Sequence, residues 1–217
     1  MRPVVAFDID GTFGGYHEHF LAFAEGYLGR AIPRKYDGSV PLHKWCGTSK
    51  VRYREMKRAY RMGGQKRSMP TLGVPYPDAS YTTRLARQWG ADVWLCTTRP
   101  YLAHDNIDAD TREWCRRNGV VYQGIIWGEH KYRELARTVG RERVAMVLED
   151  DVAMCLQARK LGMPTVWAVR PHNEREAEGM FAPTDLNGGW CDVTATDSEE
   201  TVHWMREYLA TWKEYHQ

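Results

Sequence analysis

The chain lacks any apolar run approaching 18 residues, which excludes a transmembrane helix on length alone. It passes from Met1-Arg2-Pro3 straight into a four-residue apolar run, so no signal peptide is expected. Cysteine is sparse and odd in number: Cys46, Cys96, Cys115, Cys155 and Cys191 include no close pair. That spacing argues against a disulfide scaffold and against a CxxC-type zinc site, and it fits a reducing cytoplasm. No GxxxxGK[ST] segment occurs, so the chain carries no P-loop. Repeats and low-complexity tracts are absent as well. Charge of one sign is missing in bulk: 30 Lys and Arg face 28 Asp and Glu, a net of +2. Affinity for a polyanion must then come from where charge sits, not from the total.

What is present is an alternating pattern. A chain of 217 residues suffices for one ordinary domain, or one domain with a small insertion. Val4-Val5-Ala6-Phe7 is a short apolar run halted by Asp8 and Gly11, the pattern of a buried strand. Similar runs occupy 93–96, 144–148 and 165–169, with a strand-like stretch over 120–126. Helical spacing covers 17–29, 49–62, 79–89, 108–118, 131–139, 152–161 and 198–214. Residues 30–48 are loop-rich, and 68–78, with Pro70, Pro75 and Pro77, form a connector. Strands alternating with helices predict an α/β fold, a Rossmann-like parallel sheet with helices on both faces. The segment 14–74 breaks the alternation and reads as an inserted helical cap on a core made of 1–13 and 75–217.

In such sheets ligands bind beyond the carboxyl ends of the strands. Those ends here are Asp8-Ile9-Asp10-Gly11-Thr12, Thr97-Thr98-Arg99 and Glu149-Asp150-Asp151. Asp8, Asp10, Asp150 and Asp151 would converge at one edge, where unpaired carboxylates repel and raise each other's pKa. A hard divalent cation such as Mg²⁺, which takes oxygen ligands, removes the repulsion. Each residue also has an ordinary reading. Asp150 or Asp151 alone is as readily a helix N-cap, Lys131 a solvated lysine at a helix start, and Arg99 a loop salt-bridge partner. The ordered set of strand–DxDGT, strand–Thr, Lys and strand–EDD is what those readings do not explain.

That set resembles the haloacid dehalogenase (HAD) superfamily of phosphotransferases, over roughly 1–12 and 76–170. The resemblance implies Asp8 as nucleophile, forming an aspartyl-phosphate, and Asp10 as general acid/base. Crowding by the other acids would give Asp10 the raised pKa that this role needs. It further implies Mg²⁺ held by Asp8, the Asp10 carbonyl and Asp150. Thr97 and Lys131 would bind phosphoryl oxygens, and Gly11 would let main-chain N–H groups approach them. Thr98 takes the place of Thr97 if the strand ends one residue later. Asp151 is a further acid for metal-bound water, with Glu149 turned elsewhere. Asp10 in place makes dehalogenation the less expected chemistry.

Within the superfamily, Phe7 to Phe13 followed by an aromatic helix looks like the 5′(3′)-deoxyribonucleotidase branch, as does Met69-Pro70 leading to Cys96-Thr97-Thr98. That branch stacks cap rings on the base, and Trp45, Tyr53 and Tyr60 are the candidates, with Arg52 and Arg99 as further substrate contacts. Core packing is the alternative role for each ring. The branch's Asp-Asp-Arg-Pro is here Asp150-Asp151-Val152-Ala153, a departure. Another is the run 50–67, with eight Lys or Arg against one Glu, either a solvated face or a polynucleotide-binding one. The expected partner is a phosphorylated small molecule, a nucleotide, and no membrane is involved. The alternatives are a 3′-phosphatase acting on nucleic-acid ends, as in polynucleotide kinase-phosphatases, and a HAD-shaped nucleic-acid-binding module with little turnover. The sequence leaves open whether 171–217, with Trp190 and Trp204, packs on the core.

Overall fold

The computed structural model describes residues 1–100, 102–176 and 191–216; Trp190 lies outside them. Six strands form one sheet: β1 Val4–Phe7, β2 Asp92–Thr97, β3 Gly124–Trp127, β4 Val144–Glu149, β5 Thr165–Ala168 and β6 Val193–Ala195. Their order is β3-β2-β1-β4-β5-β6, and every pairing is parallel. The helices are α1 Tyr16–Leu28, α2 Leu42–Trp45, α3 Lys50–Met62, α4 Gln65–Ser68, α5 Ala79–Gln88, α6 Asn106–Arg117, α7 Lys131–Val139, α8 Val152–Lys160 and α9 Ser198–His216.

Side-chain alternation along β1 shows how the sheet is covered on both faces. Val5 and Phe7 join one apolar cluster with Ala86, Trp114, Met205 and Leu209, which belong to α5, α6 and α9. Val4 and Ala6 join another with Tyr132, Leu135 and Ala158, from α7 and α8. Successive residues of a strand face opposite ways, so a strand apolar at every position is buried on both sides. Phe7 is fully buried, and truncating it to Ala would cost about 3–5 kcal/mol. A third cluster, with Phe20, Leu21, Met56 and Tyr60, joins α1 to α3 between β1 and α5.

Helix ends follow the local chemistry. Ser49, Asp78 and Asp151 each accept a main-chain N–H of the helix they precede. Gly29 ends α1 in the left-handed region at φ 64°. The strand expected over 120–126 is confined to Gly124–Trp127. Val120 N–H still closes the preceding helix by donating to the Cys115 carbonyl (2.9 Å), and Val121 N–H donates to the Thr83 hydroxyl of α5 (3.2 Å). α2, α4 and β6 were not expected. α9 packs on the sheet, burying Met205 and Leu209, and Trp204 donates its indole N–H to the Thr194 carbonyl at 2.9 Å. Among the described residues no helix is long and apolar enough to cross a membrane.

Candidate active site

The chain runs outward from β1 through β2 to β3, then returns to the other side of β1 as β4. The carboxyl ends of β1 and β4 therefore flank the point where strand order reverses, the usual place for a ligand crevice. Register pairs Phe7 with Leu148, and Asp8 N–H donates to the Leu148 carbonyl at 3.0 Å. The next residues on both strands are acids. Asp8, Glu149 and Asp150 are all buried, with carboxylate oxygens within 4.8 Å of one another.

One lysine stands among them. Lys131, at the first position of α7, places its ammonium 2.5 Å from Asp8 Oδ1, 2.5 Å from Glu149 Oε2 and 3.3 Å from the Cys96 carbonyl. Tyr132 donates its hydroxyl to Glu149 at 2.5 Å. Asp150 accepts from the Thr12 hydroxyl at 2.8 Å and lies 2.8 Å from His172 Nε2. Its carbonyl accepts from Trp167 Nε1 (2.9 Å) and Asn173 Nδ2 (2.8 Å), which fixes the backbone as well as the side chain. Gly11 has φ 97°, and a Cβ there would overlap the Asp150 carboxylate.

Burial pushes the Asp8 carboxyl well up, and the Glu149 and Asp150 charges add to this against the pull of Lys131. Burial also raises Glu149. Asp150 goes down: burial opposes ionisation, but hydrogen bonding and charge from His172, with the Thr12 hydroxyl, outweigh it. One ammonium against three close carboxylates leaves negative charge uncompensated. A compact set of hard oxygen donors of this kind fits a divalent cation such as Mg²⁺.

Asp10 departs from expectation. Its carboxylate turns away from the other acids and is gripped by Arg99 in a bidentate pair (Nε–Oδ2 3.0 Å, Nη2–Oδ1 2.6 Å). Lys66 of α4 binds the same carboxylate. Burial works against the charge, yet Arg99 and Lys66 overcome it and hold the group far below the usual carboxylate range. The expected upward shift is thus reversed, because the neighbours are cations. Lys66 is buried over the Tyr16 ring at 4.1 Å. Burial, joined by Arg99, brings its ammonium down to about 7 against the attraction of Asp10.

Other candidates sort by position. Glu149, expected to face elsewhere, completes the acid cluster. Asp151 is exposed and caps α8, accepting the Met154 N–H at 3.1 Å. β2 ends at Thr97, which is buried and whose hydroxyl accepts the Arg99 N–H at 3.3 Å; Thr98, one residue beyond, is exposed and lines the cavity. That cavity has about 440 Å³, a size suited to a small ligand. Its floor carries Asp8, Asp10, Lys131, Glu149 and Asp150, and its walls include Tyr16, His17, Tyr36, Lys57, Arg61 and Lys66.

Trp45, Arg52 and Tyr53 do not line it. Trp45 donates its indole N–H to the Pro33 carbonyl at 2.7 Å, and Arg52 pairs with Glu55 at 3.1 Å. Tyr53 packs edge-on to Phe20 with ring centres 5.7 Å apart. Tyr60, another stacking candidate, is buried in the α1–α3 cluster. The rings on the cavity wall were missed instead. His17 stacks on His172 with centroids 4.0 Å apart, and on Tyr36 at 5.3 Å. His17 lies on α1, whereas Tyr36 and His172 come from loops, and no local pattern in the sequence brings the three together.

No protein-family model matches the chain, nor does any curated protein. Solved structures do. A HAD family hydrolase from Deinococcus radiodurans, with phosphate and sodium bound, aligns at TM-score 0.64 and 13% identity, covering 95% of this chain and 96% of that one. CbbY from Rhodobacter sphaeroides, in complex with phosphate, aligns at TM-score 0.58 and 16% identity over 92% and 96%. A haloacid dehalogenase-like hydrolase from Streptococcus pneumoniae aligns at TM-score 0.58 and 14% identity over 94% and 98%. With its parallel six-stranded sheet and full-length alignments of this kind, the chain has the fold of the haloacid dehalogenase-like hydrolases.

Proposed function

We propose that the chain is a Mg²⁺-dependent phosphomonoesterase that hydrolyses a nucleotide phosphate through an aspartyl-phosphate on Asp8. The observation that carries this reading is the buried group of Asp8, Glu149 and Asp150 around Lys131, at the floor of a ligand-sized cavity. In the first step an Asp8 carboxylate oxygen attacks phosphorus in line, and the bond from phosphorus to the leaving oxygen breaks. Lys131 favours the ionised Asp8 that attacks, and with Thr98 it donates to the phosphoryl oxygens. Thr97 instead orders the loop through Arg99 N–H. The carboxylates of Asp8 and Asp150 and the Asp10 carbonyl would hold Mg²⁺, which would supply positive charge where phosphoryl charge develops.

Asp10 gives a proton to the leaving oxygen, then takes one from the water that attacks the aspartyl-phosphate. That water restores Asp8 and releases phosphate. The ion pairs of Asp10 with Arg99 and Lys66 oppose its protonation. An arriving phosphoryl group offers those cations a competing anion, and sharing them relaxes their hold on Asp10. Residues 14–74 act as a cap over the core of 1–13 and 75–217. Tyr36 on the cavity wall supplies a flat face for a base, worth about 1–3 kcal/mol in stacking. The phosphate found with two structures of the same fold supports the ligand class. The test is phosphate release from mononucleotides by the intact chain and by Asp8→Asn; wild-type turnover in that variant would refute the mechanism.

A further inference from the structure

The eight cations of residues 50–67 separate into two groups. Arg52, Lys66 and Arg67 are engaged, on Glu55, Asp10 and Asp110 respectively. Arg58 makes no ion pair among the described residues, and neither do Lys50, Arg54, Lys57 and Arg61, the four that line the stripe. The spacing of these four, by four, three and four residues, puts them on one face of α3. Like charges at these intervals repel along the helix, so the stripe disfavours α3 unless an anion lies on it.

The stripe also has a direction. Lys57 and Arg61 line the catalytic cavity, and the same two residues line a neighbouring cavity of about 350 Å³ with His43, Lys50, Tyr53 and Arg54. The two spaces therefore share a wall of cations. From Lys50 to Arg61 a helix rises roughly 16 Å, longer than one phosphate group requires. His43 and Tyr53 bring rings to the second cavity, with centroids 6.2 Å apart. Cations tracking a backbone beside aromatic faces are the combination that binds single-stranded nucleic acid.

We infer that the leaving group runs out of the catalytic cavity along the basic face of α3, so that the nucleotide phosphate hydrolysed is the terminal phosphate of a single-stranded nucleic acid. This rests on the phosphomonoesterase reading for its chemistry but not for its binding. Tyr53 thereby returns as a substrate contact at the second cavity instead of the first.

The test uses the full chain and a fluorescently labelled single-stranded oligonucleotide carrying a terminal phosphate. Anisotropy gives affinity as a function of salt, and phosphate release gives kcat/KM beside that for a mononucleotide and a nucleoside bisphosphate. With three or four phosphates contacted, log affinity is expected to fall against log salt with a slope of about −2 to −3. Lys50→Gln with Arg54→Gln, both at exposed positions, should make that slope shallower by about 1.4 and lower the ratio of kcat/KM for oligonucleotide over mononucleotide. Unchanged thermal melting would establish that the variant is folded. Equal kcat/KM for mononucleotide and oligonucleotide, with no salt-dependent binding, would overturn the inference and leave the phosphomonoesterase reading standing. A nucleoside bisphosphate matching the oligonucleotide would overturn it too. Salt-dependent binding lost in the variant, with no phosphate released from any substrate, would sustain the α3 face and remove the phosphatase reading.

Discussion

The floor and the roof of the cavity are built on opposite principles. On the floor, three carboxylates from β1 and β4 crowd around a single lysine, each fixed by hydrogen bonds to neighbouring elements. The roof brings Lys57, Arg61 and Lys66 to the same space from α3 and α4, with rings beneath them. The acids are adjacent in the sheet because register makes them so, whereas the cations are adjacent because helical spacing aligns them. In the proposed reading, chemistry therefore belongs to the sheet and recognition to the segment between β1 and α5.

The sharpest way to separate the two is to disable the floor alone. Asp8→Asn is expected to lower phosphate release by about a thousandfold or more while oligonucleotide binding persists. Chelation of divalent ions should likewise abolish turnover and leave α3 able to bind. Lys131→Met removes the cation shared by Asp8 and Glu149, and breaking that buried pair should cost about 3–5 kcal/mol of stability in a denaturant titration. Divalent ions should recover part of the loss, because they relieve the same repulsion.

On the roof, Lys66 gives a signature in pH. Its ammonium pKa falls to about 7 in the folded chain, against the ordinary 10.5 when unfolded. Between these values the unfolded chain binds the extra proton, so Lys66 makes stability rise with pH from about 7 to 10.5. Lys66→Met should flatten that rise, seen as melting temperatures with a weaker pH dependence over the window. The smallest effect belongs to Trp45→Phe, which deletes the indole hydrogen bond to Pro33. About 0.5–1.5 kcal/mol of stability should be lost, with turnover kept, since Trp45 lies outside the catalytic cavity.

The same division explains what could be read in advance. Apolar runs ending in acids were legible as strands because a strand buried on both faces has no polar alternation to confuse it, and β1 and β4 are of this kind. Long amphipathic helices such as α3 and α7 were equally plain. β6 has 3 residues, and α2 and α4 have 4 each, too short for any period to emerge. Within the site, the sequence order of Glu149, Asp150 and Asp151 did not reveal which two turn inward. The end of β4 at Glu149 and the N-cap of α8 decide that, sending Asp151 to solvent. Asp10 was misjudged because its partners, Lys66 and Arg99, are 56 and 89 residues distant. Lys66 in particular was hidden in a basic run whose members look alike until the chain folds.

The stacked imidazoles of His17 and His172 join α1 to the loop after β5, and His172 also touches Asp150. Lifting α1 to admit a ligand would have to part those two rings, and the freed imidazole would remain tethered to the acid below. In the proposed mechanism, His172 would thereby join the movement of α1 to the acid that holds the metal.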